Sequence, residues 1–246
     1  MAAQEPPLYL IYRSGYQGIY PPFHNPAEFE WISAIEQNWR VIRDELFANP
    51  DFKAMTAPHI KGEHGWKAFY LVNFGWRKHN NIKKFPETMS ILSNNVPHLT
   101  FAAFSMLEPG ASLLPHYGDT NTIIRCVLGI EAPVPAPVCA LQVAGEMKSW
   151  EEGKIIMFSE CHLHTAWNHS DKRRIILSFD TMRPEFVSKK RIICARVLAA
   201  ETLFFLNNSF TGFSSFSKRL EKPFYWLIAF AWWMYLPLQQ KLKFLP

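Results

Sequence analysis

The chain contains 246 residues, of which 48% are hydrophobic and 15% aromatic, and its formal net charge at pH 7 is +5. This length and apolar content are sufficient for one large domain with its own core, and they exclude an intrinsically disordered chain. The basic residues are scattered and are not interleaved with stacking aromatic residues, so we expect no nucleic acid among the partners.

Cysteine usage and the N-terminal sequence indicate a cytoplasmic protein. The four cysteines are widely spaced and form no CxxC pair, which is typical of reduced thiols. A secretory signal would need a basic start and an unbroken apolar run, whereas "MAAQEPPLYLIYRSG" contains an early glutamate and two prolines. We therefore expect a cytoplasmic location.

Residues 26–48 are predicted to form an amphipathic helix that packs on the main domain. Their apolar side chains recur at intervals of three and four, which is the period of one helix face. The recurring residues are Phe29, Ile32, Ile35, Trp39, Ile42 and Leu46.

The region from about residue 66 to residue 185 has the pattern of a β-rich domain. It consists of short apolar runs, among them "LTFAAFSML", "TIIRCVLGI", "KIIMFS" and "RRIILSFDTM", separated by Gly, Pro, Asn or Asp. Many short strands with turn residues between them indicate a β-sandwich or a barrel.

The chain is predicted to divide into a domain at residues 1–189 and an apolar, aromatic-rich helical tail at residues 190–246. No charge occurs between Lys222 and Lys241, but the apolar stretch is shorter than the ~20 residues that cross a bilayer comfortably. Aromatic residues with flanking lysines are typical of a membrane interface, which residues 218–246 could form. The alternatives are packing on the core, formation of a homodimer, and a lid over the substrate.

Two histidines stand beside strand-like runs in the β-rich region. A jelly roll brings such residues, here His116 and His164, to the mouth of one barrel. Each histidine alone would more often be an ordinary hydrogen-bonded side chain. Two histidines with a carboxylate form the ligand set of non-haem Fe(II) oxygenases, which leaves coordination positions open.

Two arginines occur inside predicted strands, and each needs an anionic partner if it is buried. Arg125 lies within "TIIRCVLGI", and Arg174 shares one strand face with Ile176 and Ser178 by alternation. The partner of Arg174 is either Asp180 or a bidentate ligand carboxylate, such as that of 2-oxoglutarate, and Arg125 poses the same question on another strand. The pattern leaves both interpretations open.

Longer stretches resemble a known family. "FSMLEPGASLLPHYGDTNTIIRCVLGI" and "WEEGKIIMFSECHLHTAWNHSDKRRIILSFD" closely resemble the aspartyl/asparaginyl β-hydroxylase family of Fe(II)- and 2-oxoglutarate-dependent oxygenases. The resemblance covers roughly residues 30 to 186. It implies a mainly β fold, a double-stranded β-helix (a cupin-like jelly roll) with flanking α-helices.

The resemblance also implies roles for five residues. His116 and His164 would hold the metal and, with Arg174, form the catalytic set. Arg174, helped by Ser105, would bind the distal carboxylate of 2-oxoglutarate, and Arg125 would meet the carboxylate nearer the metal.

The chain departs from the family pattern at two positions. Val127 stands where many relatives have a histidine, and Gly118 stands where the common ligand triad has its acid. Asp119 follows one residue later and would coordinate only if the turn were rearranged, so either Asp119 or water completes the iron coordination.

By this resemblance the protein is a 2-oxoglutarate-dependent non-haem iron dioxygenase that uses O₂ to hydroxylate an unactivated carbon. The family includes enzymes that act on Asp/Asn side chains of proteins and enzymes that act on lipid acyl chains. The apolar tail and the expected cytoplasmic location favour a lipophilic small molecule or a lipid acyl group. The alternatives are a peptidyl Asp/Asn β-hydroxylase and a catalytically inactive jelly-roll binding module, including a cupin that holds zinc.

Overall fold

The computed structural model describes residues 5–9, 15–49, 53–54, 60–61, 65–209 and 218–242. Within these ranges the chain folds into two antiparallel sheets that face each other, with helices on the outer side of the larger sheet. The remaining parts of the N-terminal segment and of the predicted tail lie outside the described residues.

The strands are assigned in chain order. They are β1 (Phe23–His24), β2 (Lys53–Ala54), β3 (Ile60–Lys61), β4 (Trp66–Asn73), β5 (Trp76–Arg77), β6 (Leu99–Leu107), β7 (Ala111–Leu113), β8 (Ile123–Glu131), β9 (Cys139–Val143), β10 (Glu146–Lys148), β11 (Ile155–Phe158), β12 (His164–Asn168) and β13 (Arg174–Met182). The larger sheet has the order β1-β11-β8-β13-β6-β4-β2, with β5 paired to β4. The smaller sheet has the order β10-β9-β12-β7-β3. The two facing sheets confirm the predicted mainly β, double-stranded β-helix.

The helices are α1 (Ile32–Gln37), α2 (Trp39–Ala48), α3 (His79–Ile82), α4 (Pro86–Asn95), α5 (Lys190–Ser209) and α6 (Lys218–Lys241), with short 3₁₀ helices at Pro26–Glu28 and Pro184–Lys189. The helix predicted at residues 26–48 is therefore interrupted. The interruption lies at Asn38, whose side-chain amide donates to the carbonyl oxygen of Ala34 at 2.8 Å. Such a side-chain bond competes with the helical backbone pattern. The predicted apolar face is confirmed, because its four isoleucine and leucine side chains are buried against the larger sheet.

Strand β13 lies inside the larger sheet and contributes to two separate environments, as alternation predicts. Facing the helices are Ile175, Leu177 and Phe179. Facing the cavity between the sheets are Arg174, Ile176 and Ser178. The neighbouring Arg173 lies outside this interior and forms an ion pair with Glu131 at 2.7 Å. Arg174 is thus the member of the adjacent arginine pair that points inward.

Helices α5 and α6 pack on each other and on the end of the larger sheet. Ile193 and Leu198 of α5, together with Leu236 of α6, share a buried cluster with Phe74 and Ile123. Gln239 of α6 is fully buried. Among the residues described, no helix combines the length and the apolar character that a bilayer crossing requires.

Candidate active site

The two sheets enclose a cavity of about 720 Å³, and all five predicted site residues line it. Ser105 lies on β6, Arg125 on β8 and Arg174 on β13, so the larger sheet supplies these three side chains. His164 begins β12 of the smaller sheet, and His116 follows β7. The fold therefore brings together residues that are far apart in the sequence.

His116 and His164 lie opposite each other on paired backbone. Each backbone N–H donates to the carbonyl oxygen of the other residue, at 3.0 and 2.9 Å, and the ring centroids are 4.2 Å apart. Nδ1 of His116 lies 2.8 Å from the carbonyl oxygen of Leu114, and Nδ1 of His164 lies 2.9 Å from that of His162. These carbonyl acceptors place the proton of each neutral ring on Nδ1, so that Nε2 keeps the lone pair that binds a metal.

The described part of the chain contains no group of three or more His, Cys, Asp and Glu side chains that could hold a metal ion. Asp119 lines the cavity without forming such a group with the two histidines. The space beside Gly118 is already filled, because a Cβ at that position would meet the side chain of Glu160. The position of the missing acid is therefore sterically closed by another carboxylate.

Arg125 has protein carboxylates as partners. Its Nε and Nη2 donate to the two carboxylate oxygens of Asp180 at 2.9 and 2.8 Å, and its Nη1 lies 2.5 Å from Glu160. Asp180 stands directly opposite Arg125 in the pairing of β8 with β13. Of the two interpretations left open by the sequence, a protein carboxylate accounts for the burial of Arg125. Its role toward a ligand carboxylate stays a prediction.

Arg174 differs from Arg125. It is 1% exposed, and neither its Nε nor its Nη1 has a hydrogen-bond partner among the described residues. Its guanidinium lies over the ring of Trp150, 4.6 Å from the centroid, and burial lowers the pKa of Arg174 to about 10. A buried cation with unused donors that faces a cavity is arranged to receive an anion from outside the protein.

Ser105 lies two residues before Leu107, which is the pairing partner of Arg174 on the adjacent strand. The Ser105 Oγ accepts a hydrogen bond from Trp66 Nε1 at 2.8 Å. Because a hydroxyl group can accept and donate at once, this bond orients Ser105 and leaves its own proton available to an acceptor. Ser105 and Arg174 therefore form one polar end of an otherwise largely aromatic and aliphatic cavity.

The cavity is also lined by buried carboxyl groups, of which the sequence indicated only Asp119 as a candidate site residue. Burial raises the pKa of Asp119 and of Glu201, each to about 7, and raises that of Glu160 as well despite its contact with Arg125. Glu201 comes from α5 and accepts a hydrogen bond from Asn73 at 2.7 Å. The position of Glu160 two residues after the buried strand β11 was the available signal, whereas nothing in the sequence placed Glu201 here.

Proteins with assigned names resemble this chain over about two thirds of its length. The family described as "Aspartyl/Asparaginyl beta-hydroxylase" matches residues 36–184. The ornithine lipid ester-linked acyl 2-hydroxylase of Rhizobium tropici is 35% identical over 173 residues, which cover 67% of this chain and 61% of that protein. The human aspartyl/asparaginyl beta-hydroxylase is 31% identical over 182 residues, which cover 69% of this chain and 24% of that protein.

A solved structure, HygX from Streptomyces hygroscopicus with nickel and 2-oxoglutarate bound, aligns with a TM-score of 0.41 at 10% identity, covering 59% of this chain and 78% of that one. The chain thus spans less than two thirds of the two curated relatives, while the family match covers more than half of the chain. On the strength of that match, this chain belongs to the aspartyl/asparaginyl beta-hydroxylase family.

Proposed function

We propose that this protein is an Fe(II)- and 2-oxoglutarate-dependent dioxygenase that hydroxylates an unactivated carbon of a lipophilic small molecule or a lipid acyl group. The observation that carries the proposal is Arg174, a buried guanidinium whose Nε and Nη1 have no partner within the described residues. It lines the same cavity as His116 and His164. An anion-binding group and a metal-binding pair in one cavity suit an oxygenase with a carboxylate cosubstrate.

The residues present fit the metal and the cosubstrate. His116 and His164 would hold iron through Nε2, the nitrogen to which their Nδ1 contacts assign the lone pair. Arg174 and Ser105 would hold the distal carboxylate of 2-oxoglutarate, and Arg125 would lie toward the other carboxylate. When bound, iron with 2-oxoglutarate and O₂ supplies the oxidising power for C–H hydroxylation.

The chain itself contributes orientation and exclusion of water. The Asp180 and Glu160 carboxylates fix the guanidinium of Arg125, and Trp66 fixes the hydroxyl of Ser105. The two sheets enclose these groups, so that electrostatic interactions with a bound carboxylate are stronger than in water.

The cavity wall supports a lipophilic substrate. Aromatic and aliphatic side chains form much of it, namely Trp66, Tyr70, Phe101, Leu141, Phe158 and Phe204. Apolar walls with a few polar groups at the ends are typical of sites for hydrophobic ligands. The similar protein from Rhizobium tropici is named for hydroxylation of a lipid acyl chain, which agrees with this substrate class.

Helix α6 supports contact with a membrane surface. Its outward face carries exposed apolar side chains at helical spacing, namely Trp226, Leu227, Phe230, Met234 and Leu238. Its other face, with Ala229 and Leu236, is buried. Lysines near both ends of the exposed face, Lys222 and Lys241, favour an anionic surface. We propose that this face lies on the lipid bilayer.

The proposal is tested by anaerobic titration of Fe(II) and 2-oxoglutarate into the purified protein. We expect the visible charge-transfer band of a keto acid chelated to ferrous iron. We expect His116→Ala to abolish the band and Arg174→Met to require far more 2-oxoglutarate. Arg173→Met is the matched control, because Arg173 is adjacent in sequence but forms its ion pair with Glu131 outside the cavity. Absence of the band in metal-replete protein would contradict the oxygenase assignment.

Turnover then identifies the substrate class. Succinate formation and O₂ uptake are measured with membrane lipid extracts and, separately, with Asp/Asn-containing peptides, and the products are analysed by mass spectrometry. A hydroxylated acyl chain supports the proposal, and a hydroxylated peptide supports the peptidyl alternative. Binding of iron and 2-oxoglutarate without turnover of either class would instead indicate an inactive binding module.

A further inference from the structure

A second open cavity, of about 690 Å³, is lined by residues of β4, β5, α3 and α4, by the start of α5 and by the end of α6. Its lining includes the basic residues Arg77, His79, Lys83, His98 and Lys190. Among the described residues that line it, none is an aspartate or a glutamate. Arg77, Lys83 and Lys190 thus line one concave surface without a carboxylate among the described lining residues. The proposed oxygenase site uses none of these three residues.

Helix α6 holds the backbone of Arg77 in place. The Arg77 N–H donates to the side-chain carbonyl of Gln239 at 3.3 Å, and the Gln239 amide donates to the Arg77 carbonyl oxygen. Gln239 is fully buried, so this anchor belongs to the folded interior. Burial lowers the pKa of Arg77, and in the described part of the chain no carboxylate pairs with it. Arg77 is therefore a partly desolvated cation with its donors available.

Lys190 stands at the first residue of α5 on the other side of the cavity. Its ammonium donates to the carbonyl oxygen of Leu99 at 2.9 Å, and burial lowers its pKa. An ammonium group has three donors, so this contact leaves two for another acceptor. Lys190 is thus held in place by a neutral partner that does not cancel its charge.

The arrangement favours an oxyanion with several acceptor atoms. A guanidinium group donates through a planar fork and an ammonium group acts as a point charge, and phosphate accepts both kinds of contact. Gln240 of α6 also lines this cavity and follows directly after the buried Gln239. The same helix carries the exposed apolar face described above, so α6 contributes both to this cavity and to the surface that we place on the bilayer.

We propose that this basic cavity binds a phosphate oxyanion, either as inorganic phosphate or as the phosphodiester of an anionic lipid head group. Cations that line one cavity without a counter-charge among the described lining residues are the feature that attracts the ligand. Attraction of this kind weakens as ionic strength rises, because salt screens partly exposed charges. The site does not depend on iron or 2-oxoglutarate, so failure of this proposal would leave the proposed oxygenase activity unaffected, and the reverse also holds.

The test uses the full chain without added metal. Inorganic phosphate binding is measured by calorimetry, and binding to phosphatidylglycerol and phosphatidylcholine vesicles is measured by flotation. The variants are Arg77→Gln and Lys83→Gln, with Lys172→Gln as the control, since Lys172 is exposed and lies outside the cavity. Loss of one charged donor should weaken binding roughly tenfold.

Saturable phosphate binding that both variants weaken, with the control unchanged, supports a site for the free ion. Binding to phosphatidylglycerol vesicles that both variants weaken, without measurable phosphate binding, supports a head-group site. If neither ligand binds, or if both variants bind as the wild type does, the proposal is wrong. Circular dichroism of each variant verifies folding, and Lys83→Gln keeps the test decisive if Arg77→Gln does not fold.

Discussion

Replacement of Arg174 by methionine should have opposite effects on stability and on cosubstrate binding. In the structure the guanidinium is 1% exposed, and its Nε and Nη1 have no hydrogen-bond partner within the described residues. Methionine is unbranched and has no charge and no donor, so it occupies the space of the arginine stem without a desolvation cost. The protein free of cosubstrate loses only the cation–π contact with Trp150, which contributes about 0.5–2 kcal/mol.

The effect on stability follows from the two unsatisfied donors. Each buried donor without a partner lowers the free energy of unfolding by about 1–3 kcal/mol. Replacement of buried charged groups by apolar ones often leaves the free energy of unfolding unchanged or raises it by about 1–4 kcal/mol. We expect the free energy of unfolding of Arg174→Met to equal or exceed that of the wild type. For a chain of this size each kcal/mol corresponds to a rise in Tm of about 2–4 °C.

The effect on binding has the opposite sign. Truncation of one partner of a buried, hydrogen-bonded charge pair costs about 2–5 kcal/mol, so the Kd for 2-oxoglutarate should rise from about 30-fold to several thousand-fold. A ligand at a hundred times its Kd stabilises the folded state by about 2.7 kcal/mol. Saturating 2-oxoglutarate with Fe(II) should therefore stabilise the wild type and leave Arg174→Met nearly unchanged.

The assay is urea denaturation of both proteins under anaerobic conditions, with and without Fe(II) and 2-oxoglutarate, and with Arg173→Met as the control. Two results would refute the reasoning. A loss of more than about 2 kcal/mol in the protein free of ligand would show that Arg174 has a structural partner. Equal stabilisation of variant and wild type by 2-oxoglutarate would show that Arg174 does not bind it.

Three further predictions concern other parts of the molecule. Gly118→Asp should lower the free energy of unfolding by about 1–3 kcal/mol, measured in urea, because the new side chain overlaps that of Glu160. The pKa of Glu201 is raised to about 7 in the folded protein, so folding is favoured while this carboxyl group is protonated. This stabilisation is present below the ordinary pKa of a glutamate and is lost as the pH rises through about 7. Glu201→Gln should remove that loss, which denaturation at pH 5 and pH 8 measures. Phe230→Asp should weaken binding to anionic vesicles by about tenfold or more, because a Phe side chain gains about 1.5–3 kcal/mol on burial.

Each of these predictions has a matched control. The cost of Gly118→Asp should be smaller in a Glu160→Ala background than in the wild type, and an equal cost in both backgrounds would contradict the steric account. An equal pH dependence in Glu201→Gln and wild type would show that other groups cause it. Val41→Asp, at an exposed apolar residue of α2, should leave vesicle binding unchanged. Equal loss in Val41→Asp and Phe230→Asp would contradict a specific membrane face on α6.

The amino-acid sequence determined the strand-rich architecture and indicated five of the residues that meet in the cavity. Alternation along β13 predicted that one of the two adjacent arginines points inward, since successive side chains of a strand point to opposite faces, and the structure shows that this residue is Arg174. Spaced motifs around His116 and His164 indicated that distant segments meet, and the fold pairs their backbones directly. These features depend on local patterns and on the order of motifs, which can be seen in one sequence.

Only the tertiary structure decided how the charges are paired. Asp180 lies opposite Arg125 because of the register of β13 against β8, and a shift of that register would have given it another partner. Glu160 fills the space beside Gly118, and Glu201 enters the cavity from a helix that the sequence assigned to a tail. Register and helix docking depend on the packing of whole elements, so no local pattern contains them.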